Sequence, residues 1–286
     1  MARTARSDDV ISLAKSLIQF ATPNPPGEER SLAEFLAQYL ADLGIEAQVL
    51  GVGAAGAPQA NVFARVPGAG NRPALILCGH LDTVPPGEGT WTRDPFEPVV
   101  EDDLLYGLGA ADMKGAIAAM VLAAGRVAKE GALSGDLLLA FTSGEETRSR
   151  GARALAESGL LNGAFGMVIG EPTGNRVAIA EKGGTWPEVI VTGRTAHGSL
   201  PQLGANAVAG LVEGLSRAER ALQADANDLS TTERALREAV VGPEHPLLGR
   251  PTFTPTRLSG GVANNVVPDR ASAVIDIRMV PGQSGA

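Results

Sequence analysis

Three short apolar runs, separated by helical patterns, most constrain the fold of this chain. The runs are ALILC at 74–78, DLLLAFT at 136–142 and GMVIG at 166–170. Runs of this kind are typical of strands that are buried on both faces of a sheet. Helices are predicted between the runs, from about Asp112 to Lys129 and near 150–158. The alternation predicts an α/β domain with a mostly parallel sheet and helices on both of its faces.

The sequence pattern changes after residue 183, which predicts a second domain. WPEVIVTG, from Trp186, alternates apolar and polar residues like a strand with one exposed face. A helix over 204–222 and two more strand-like runs, TFTPTRLSGG and SAVIDIRMV, follow it. The 286 residues are therefore divided into a first domain over 1–183 and a smaller α+β domain over 184–286.

The charge balance and the cysteine count exclude several classes of protein. There are 24 basic and 32 acidic residues, for a net charge of −8, which argues against broad binding to a phosphate backbone. No apolar run reaches the roughly 18 residues of a membrane span, and no apolar stretch follows the N-terminal arginines as in a secretory signal. The single cysteine, Cys78, allows no internal disulfide. We therefore predict a cytoplasmic protein without a nucleic-acid or membrane partner.

Acidic residues and a histidine stand where the predicted strands end. They are His80, Asp82, Asp112, Glu145, Glu146 and Glu171. Taken alone, His80 and Asp82 form a common H-x-D pattern, and Asp112 could simply cap a helix. Ligand sites of open α/β sheets, however, lie outside the carboxyl ends of the strands. Because four separate strand ends or adjoining loops carry these residues, a metal cluster is the better interpretation.

The residue types indicate which metal chemistry the cluster suits. The chain has only three histidines, so a metal site must use mainly carboxylates. Carboxylate-rich sites suit two hydrolytic metal ions that are bridged by one carboxylate. Two other kinds of site are not supported. GVGAAG at 51–56 matches the glycine spacing of a dinucleotide site, but no helix has room to start there. No G-x-S-x-G motif of a serine hydrolase is present in the sequence.

Six motifs of the chain resemble those of one enzyme family. They are GHLDTVPP, LYGLGAADMKG, TSGEET, GEPT, TGRTAHGSLPQLGANAV and NNVVPDRASAVIDIR. From about residue 8 to residue 282 the chain is similar to the dinuclear zinc aminoacylases, which include acetylornithine deacetylase, succinyl-diaminopimelate desuccinylase, aminoacylase-1 and glutamate carboxypeptidase. The resemblance implies a metal-dependent amidohydrolase that cleaves an N-acyl amino acid or small peptide through a metal-activated water. The alternative is a catalytically incomplete binding or regulatory module that retains the fold.

The resemblance also implies two divalent ions, zinc in the first place and cobalt as the alternative. His80 and Glu171 would hold one ion and Glu146 the other, with Asp112 bridging the two. In the family the second ion takes a further histidine from a later segment, whereas this chain stops at residue 286. The second site is therefore predicted to be incomplete in this chain, and His245 is not expected to complete it. Residues 1–286 by themselves are accordingly expected to be weakly active or inactive.

Further roles follow from the same resemblance. Glu145 would be the general base, and Asp82 would orient His80. His197 would polarise the scissile carbonyl or stabilise its oxyanion. Asn265 and Arg278 would contact the substrate. Arg278 would bind the carboxylate of the substrate. The smaller domain would act as a lid and would form a homodimer through residues 184–286.

Overall fold

The computed structural model describes residues 9–89, 91–131, 133–223, 230–231 and 245–281. The chain divides into two compact units, Met1–Asn175 and Arg176–Ala286. The sequence pattern places the division later, at residue 183, because the pattern of strands changes only there. None of the helices in the described part of the chain is long and apolar enough to cross a membrane.

The first unit is built around a mixed sheet. Its strands are β1 (Ala47–Gly51), β2 (Ala60–Val66), β3 (Arg72–His80), β4 (Val99–Glu101), β5 (Leu104–Tyr106), β6 (Gly135–Thr142) and β7 (Gly166–Ile169). Its helices are α1 (Val10–Ile18), α2 (Arg30–Asp42), α3 (Gly115–Glu130) and α4 (Arg150–Glu157). β4 and β5 form a two-stranded sheet, while the other five strands form one sheet in the order β1-β2-β6-β3-β7.

This sheet is parallel on one side and antiparallel on the other. β3 runs parallel to both β6 and β7, whereas β2 is antiparallel to both β1 and β6. The prediction of a mostly parallel sheet is therefore corrected for β1 and β2. β1 and β2 are joined by residues 52–59. A connection this short is typical of antiparallel neighbours, because parallel strands need a longer crossover. At the opposite edge, β7 leaves Met167, Val168 and Ile169 exposed.

Side chains on the two faces of β6 pack against different helices. Leu139 lies in a buried cluster with Leu17 of α1 and Ile117 of α3. Its neighbour Leu138 points to the other face and packs in a second cluster with Leu155 of α4. Successive strand residues face opposite sides of a sheet, so both faces carry a core. The predicted arrangement of helices on both faces is thereby confirmed.

The second unit is the predicted smaller α+β unit. Its elements are β8 (Gly183–Thr185), β9 (Glu188–Thr192), β10 (Ala196–His197), α5 (Ala207–Gln223), β11 (Thr252–Gly260), β12 (Val266–Val267) and β13 (Arg270–Met279). β13 is the central strand and pairs antiparallel with β11 on one side and with β8 and β9 on the other. α5 buries Ala207 and Leu211 against Ala271 and Ala273 of β13, so the helix covers one face of this sheet.

Candidate metal centre

The carboxyl ends of three parallel strands meet at one edge of the first unit's sheet. His80, the last residue of β3, pairs with Thr142, the last residue of β6. On the other side of β3, Cys78 pairs with Ile169, where β7 ends. The residues that follow β6 and β7 in the chain therefore emerge beside His80. This explains why acids that are far apart in the sequence meet here.

His80 lies at the centre of the cluster and is 2% exposed. Its Nδ1 is 2.9 Å from the backbone oxygen of Asp82, and its Nε2 is 2.8 Å from Oδ1 of Asp112. Nε2 also lies 3.8 Å from Oε1 of Glu171. An Nδ1–H that donates to a backbone carbonyl leaves Nε2 as the ligand atom of the neutral ring. The ring is thus held with Nε2 facing the acids.

Asp82 contributes more than an orienting contact to His80. Its carboxylate is 3.6 Å from Nδ1 of His80, so the shorter contact to the ring is that of the backbone carbonyl. Both carboxylate oxygens instead accept hydrogen bonds from the loop after β6, with Oδ1 receiving the amide of Glu145 and Oδ2 that of Glu146, each at 3.0 Å. The side chain of Asn24 donates to Oδ2 at 2.9 Å. Asp82 therefore joins the β3 end of the site to the β6 end.

Asp112 stands in an irregular turn and not at the start of a helix. The turn spans Ala110–Lys114, and α3 begins only at Gly115. Asp112 has an extended backbone, with φ −125° and ψ 93°. The prediction of a helix from about Asp112 is corrected accordingly, since this backbone carries the carboxylate to His80 and not into a helical turn.

The described residues contain two groups whose spacing fits a metal ion. His80, Asp112 and Glu171 form one group, and His80, Glu145 and Glu146 form the other; within each, the ligand atoms lie within 4.8 Å of one another. Bonds of about 2.0–2.2 Å from one ion to two ligands place those ligands about 3–4 Å apart. The donor set therefore fits a divalent cation. The geometry groups Glu146 with Glu145, while the resemblance pairs it with Asp112.

The electrostatics of the cluster favour a cation. Burial opposes the charged ring of His80, but hydrogen bonds and charges of Asp112 and Asp82 outweigh it and raise its pKa to about 11. Burial, together with the charges of Asp112, Glu145 and Asp82, raises the pKa of Glu146 to about 7. Burial and the charges of Asp112 and Glu145 also raise the pKa of Glu171. More negative charge is crowded here than one imidazolium can balance.

Two candidate residues of the second unit lie on adjacent segments. His197 ends β10, is exposed, and its Nδ1 is 2.8 Å from Oγ of Ser199. β10 pairs antiparallel with β12, where His197 is opposite Val266. The amide of Gly198 donates to the backbone oxygen of Asn265 at 2.7 Å. The structure therefore brings His197 and Asn265 together within this unit.

Arg278 is held by two residues that sequence reasoning missed. Its Nε and Nη2 donate to the two carboxylate oxygens of Asp276 at 2.8 and 2.9 Å. Its guanidinium lies 5.7 Å from the ring centroid of Trp186, whose indole N–H also donates to Asp276. Residues i and i+2 of a strand point to the same side, so the D-x-R spacing on β13 was a usable signal for the first contact.

Comparison with known proteins gives a family for the chain. The profile of peptidase family M20/M25/M40 matches residues 76–273. A probable succinyl-diaminopimelate desuccinylase of Staphylococcus epidermidis is 33% identical over 285 residues, which cover 96% of this chain and 68% of that protein. A succinyl-diaminopimelate desuccinylase of Gluconobacter oxydans is 34% identical over 296 residues and is covered to 69%.

Solved structures show the same fold. An M20 family metallo-carboxypeptidase from Sulfolobus solfataricus superposes with a TM-score of 0.72 at 20% identity, covering 97% of this chain and 72% of that one. Human carnosine dipeptidase 1 superposes with a TM-score of 0.70 at 19% identity, covering 97% and 70%. The chain therefore belongs to peptidase family M20/M25/M40 and is a metallohydrolase that acts on amide bonds.

Proposed function

We propose that this metallohydrolase releases the acyl group of an N-acyl amino acid, or cleaves a small peptide, as acetylornithine deacetylase and succinyl-diaminopimelate desuccinylase do. The observation that carries this is the meeting of one histidine and several carboxylates at the carboxyl edge of three parallel strands. Relatives at 33% and 34% identity that are named as desuccinylases support the acyl-amino-acid class. We place the enzyme in the cytoplasm, which the single free cysteine supports.

The residues of the cluster divide into ligands and a base. His80, Asp112 and Glu171 would hold one divalent ion, and Glu146 would hold a second that Asp112 bridges. Zinc is the first choice and cobalt the second. When bound, such ions polarise a carbonyl and lower the pKa of water. Glu145, the more exposed of the acidic pair, would take the proton of the attacking water and pass it to the leaving amine.

The second unit would supply the groups that recognise the substrate. His197 would donate to the carbonyl oxygen as it gains negative charge, and Asn265, on the adjacent segment, would contact the substrate. Arg278 would bind the substrate carboxylate. The planar fork of a guanidinium matches the geometry of a carboxylate.

A substrate panel tests the proposed function. The full-length protein, supplied with zinc or cobalt, should release amine from N-acetyl and N-succinyl amino acids or from dipeptides. The chelator 1,10-phenanthroline should abolish this release, whereas its non-chelating 1,7 isomer should leave it unchanged. The proposal fails if no member of the panel is cleaved, or if cleavage persists after the metal has been removed.

We also propose that residues 184–286 form a homodimer. Exposed apolar side chains of this segment support it, among them Ile190 on β9, Leu258 on β11 and Val212 on α5. Closed twofold pairing is the commonest way in which soluble chains cover such surfaces. Sedimentation equilibrium should give twice the mass of one chain, and replacing Leu258 by glutamate should restore the mass of the monomer. A wild-type chain that sediments as a monomer would exclude the dimer.

A further inference from the structure

The loop that carries the acidic pair is held by its backbone amides. Four consecutive amides each donate to a side-chain oxygen from another part of the chain. The pairs are Ser143 with Asn61 at 2.9 Å, Gly144 with Glu29 at 3.0 Å, and Glu145 and Glu146 with the two oxygens of Asp82, each at 3.0 Å. All three acceptors are almost completely buried. Buried amides with fixed acceptors leave little freedom for the backbone between them.

Of the three acceptors, Glu29 is the one whose burial is hardest to explain by stability of the fold alone. It is 0% exposed, and only one of its oxygens, Oε1, has a hydrogen-bond partner; Oε2 has none. Burial raises the pKa of Glu29 to about 6. An incompletely paired buried carboxylate costs free energy that an apolar side chain of similar size would not cost. Its hydrogen bond from the amide of Gly144, at 3.0 Å, ties this buried carboxylate to the loop that carries the acidic pair.

The hydrogen bond between Glu29 and Gly144 matters because of where Gly144 lies in the loop. Gly144 directly precedes Glu145 and has a φ of 66°, so the chain turns sharply into the acidic pair. Glu29 fixes the amide before the turn and Asp82 fixes the amide after it. With both sides of the turn fixed, the direction in which the Glu145 side chain leaves the backbone is fixed as well.

The segment before α2 that carries Glu29 also contacts Asp82, the acceptor on the other side of the turn. Asn24, five residues before Glu29, donates to Oδ2 of Asp82 at 2.9 Å. The amide of Asn24 also donates to the backbone oxygen of Thr83, and that of Thr83 donates to Thr22. The segment is therefore attached to the chain that follows β3 as well as to the loop that follows β6.

We propose that Glu29 is a positioning residue of the reaction, which aims the side chain of Glu145 through the amide of Gly144. This role rests on the function proposed above, in which Glu145 is the base. Misplacing a reacting group by about 1 Å can lower a rate by about 100-fold. Loss of the contact should therefore lower kcat and leave KM nearly unchanged, because Glu29 is completely buried and so out of reach of a substrate.

Three variants test the role in the zinc-loaded full-length protein acting on the best substrate of the panel. Glu29→Leu removes the acceptor, and we expect kcat to fall about 10- to 100-fold. Glu29→Gln keeps an oxygen for the Gly144 amide and should restore kcat to near wild type. The matched control is Asp136→Leu, which removes the acceptor of the Gly68 amide, 2.9 Å away, at the opposite end of β6. It should lower the melting temperature without lowering kcat.

Amide hydrogen exchange of the metal-free protein provides a readout that does not depend on activity. In Glu29→Leu the amides of residues 143–146 should exchange about fivefold faster, as expected when a hydrogen bond worth about 1 kcal/mol is lost. Glu29→Gln and Asp136→Leu should leave this loop protected. If Glu29→Leu does not fold, Glu29→Asp serves instead, since its shorter side chain does not reach the amide.

The outcomes separate the two proposals. The role of Glu29 is overturned if the loop stays protected in Glu29→Leu, if faster exchange leaves kcat unchanged, or if Glu29→Gln is as slow as Glu29→Leu. If the wild-type chain cleaves no substrate, the proposed function fails, and the exchange measurement still decides whether Glu29 fixes the loop.

Discussion

Replacing Glu145 by alanine is expected to lower kcat by about 10²- to 10⁴-fold, the usual contribution of a general base. The zinc content of the purified chain should stay near that of wild type, because Glu145 is assigned to the proton and not to the metal. Zinc bound per chain and kcat, measured on the same sample, check the two halves of this expectation. The comparison matters because Glu145 lies with His80 and Glu146 at metal-ligand spacing.

Two further variants sharpen this result. Glu145→Gln keeps the size of the side chain but cannot take a proton, so it should be as slow as the alanine variant. Glu157→Ala removes an exposed acid of α4 in the same unit and should retain wild-type kcat. If Glu145→Ala loses zinc together with activity, Glu145 is a ligand, and Glu146 becomes the candidate base.

Replacing His80 by alanine should have the largest effect on metal binding. His80 is common to both groups of candidate ligands, so one substitution removes a ligand from each. Mutation of a residue that only supports a metal ligand typically lowers metal affinity 10- to 100-fold. Loss of the ligand itself should therefore lower the affinity for zinc by more than about 100-fold. Calorimetric titration of zinc should show no tight site, and hydrolysis of the panel should fall below detection.

A histidine outside the cluster is the control for this variant. His245 accepts hydrogen bonds from two backbone amides in a turn of the second unit. His245→Ala should bind zinc as the wild type does. Zinc binding of wild-type strength in His80→Ala would contradict the assignment, since it would mean that the carboxylates alone hold the metal.

The sequence predicted the edge of the sheet at which the candidate residues meet, because that edge follows from strand order. Runs of apolar residues mark β3, β6 and β7, and parallel neighbours place their carboxyl ends together. Local patterns did not show that β2 is antiparallel to β6, since their pairing is set by distant parts of the chain. They also did not show that Asp112 stands two residues before Lys114, the N-cap of α3, because a carboxylate before an Ala-rich helix is usually the N-cap itself.

Polar residues that act at long range were the hardest to predict. Asn24 and Glu29 lie in TPNPPGEE, where prolines and a glycine indicate only a turn. Their hydrogen-bond partners, Asp82 and Gly144, are 58 and 115 residues away along the chain. No periodicity marks such contacts. A buried acid in a turn is recognised only when the fold shows what covers it.

The open edge of β7 has a practical consequence for handling the protein. Three successive apolar side chains, Met167, Val168 and Ile169, are exposed on β7, which among the described residues pairs with β3 on one side only. Such an edge invites a strand from another molecule to add to it, which leads to aggregation. Precipitation of concentrated samples would then start at β7, and a lysine in the middle of that strand would be a sound choice for a crystallisation variant.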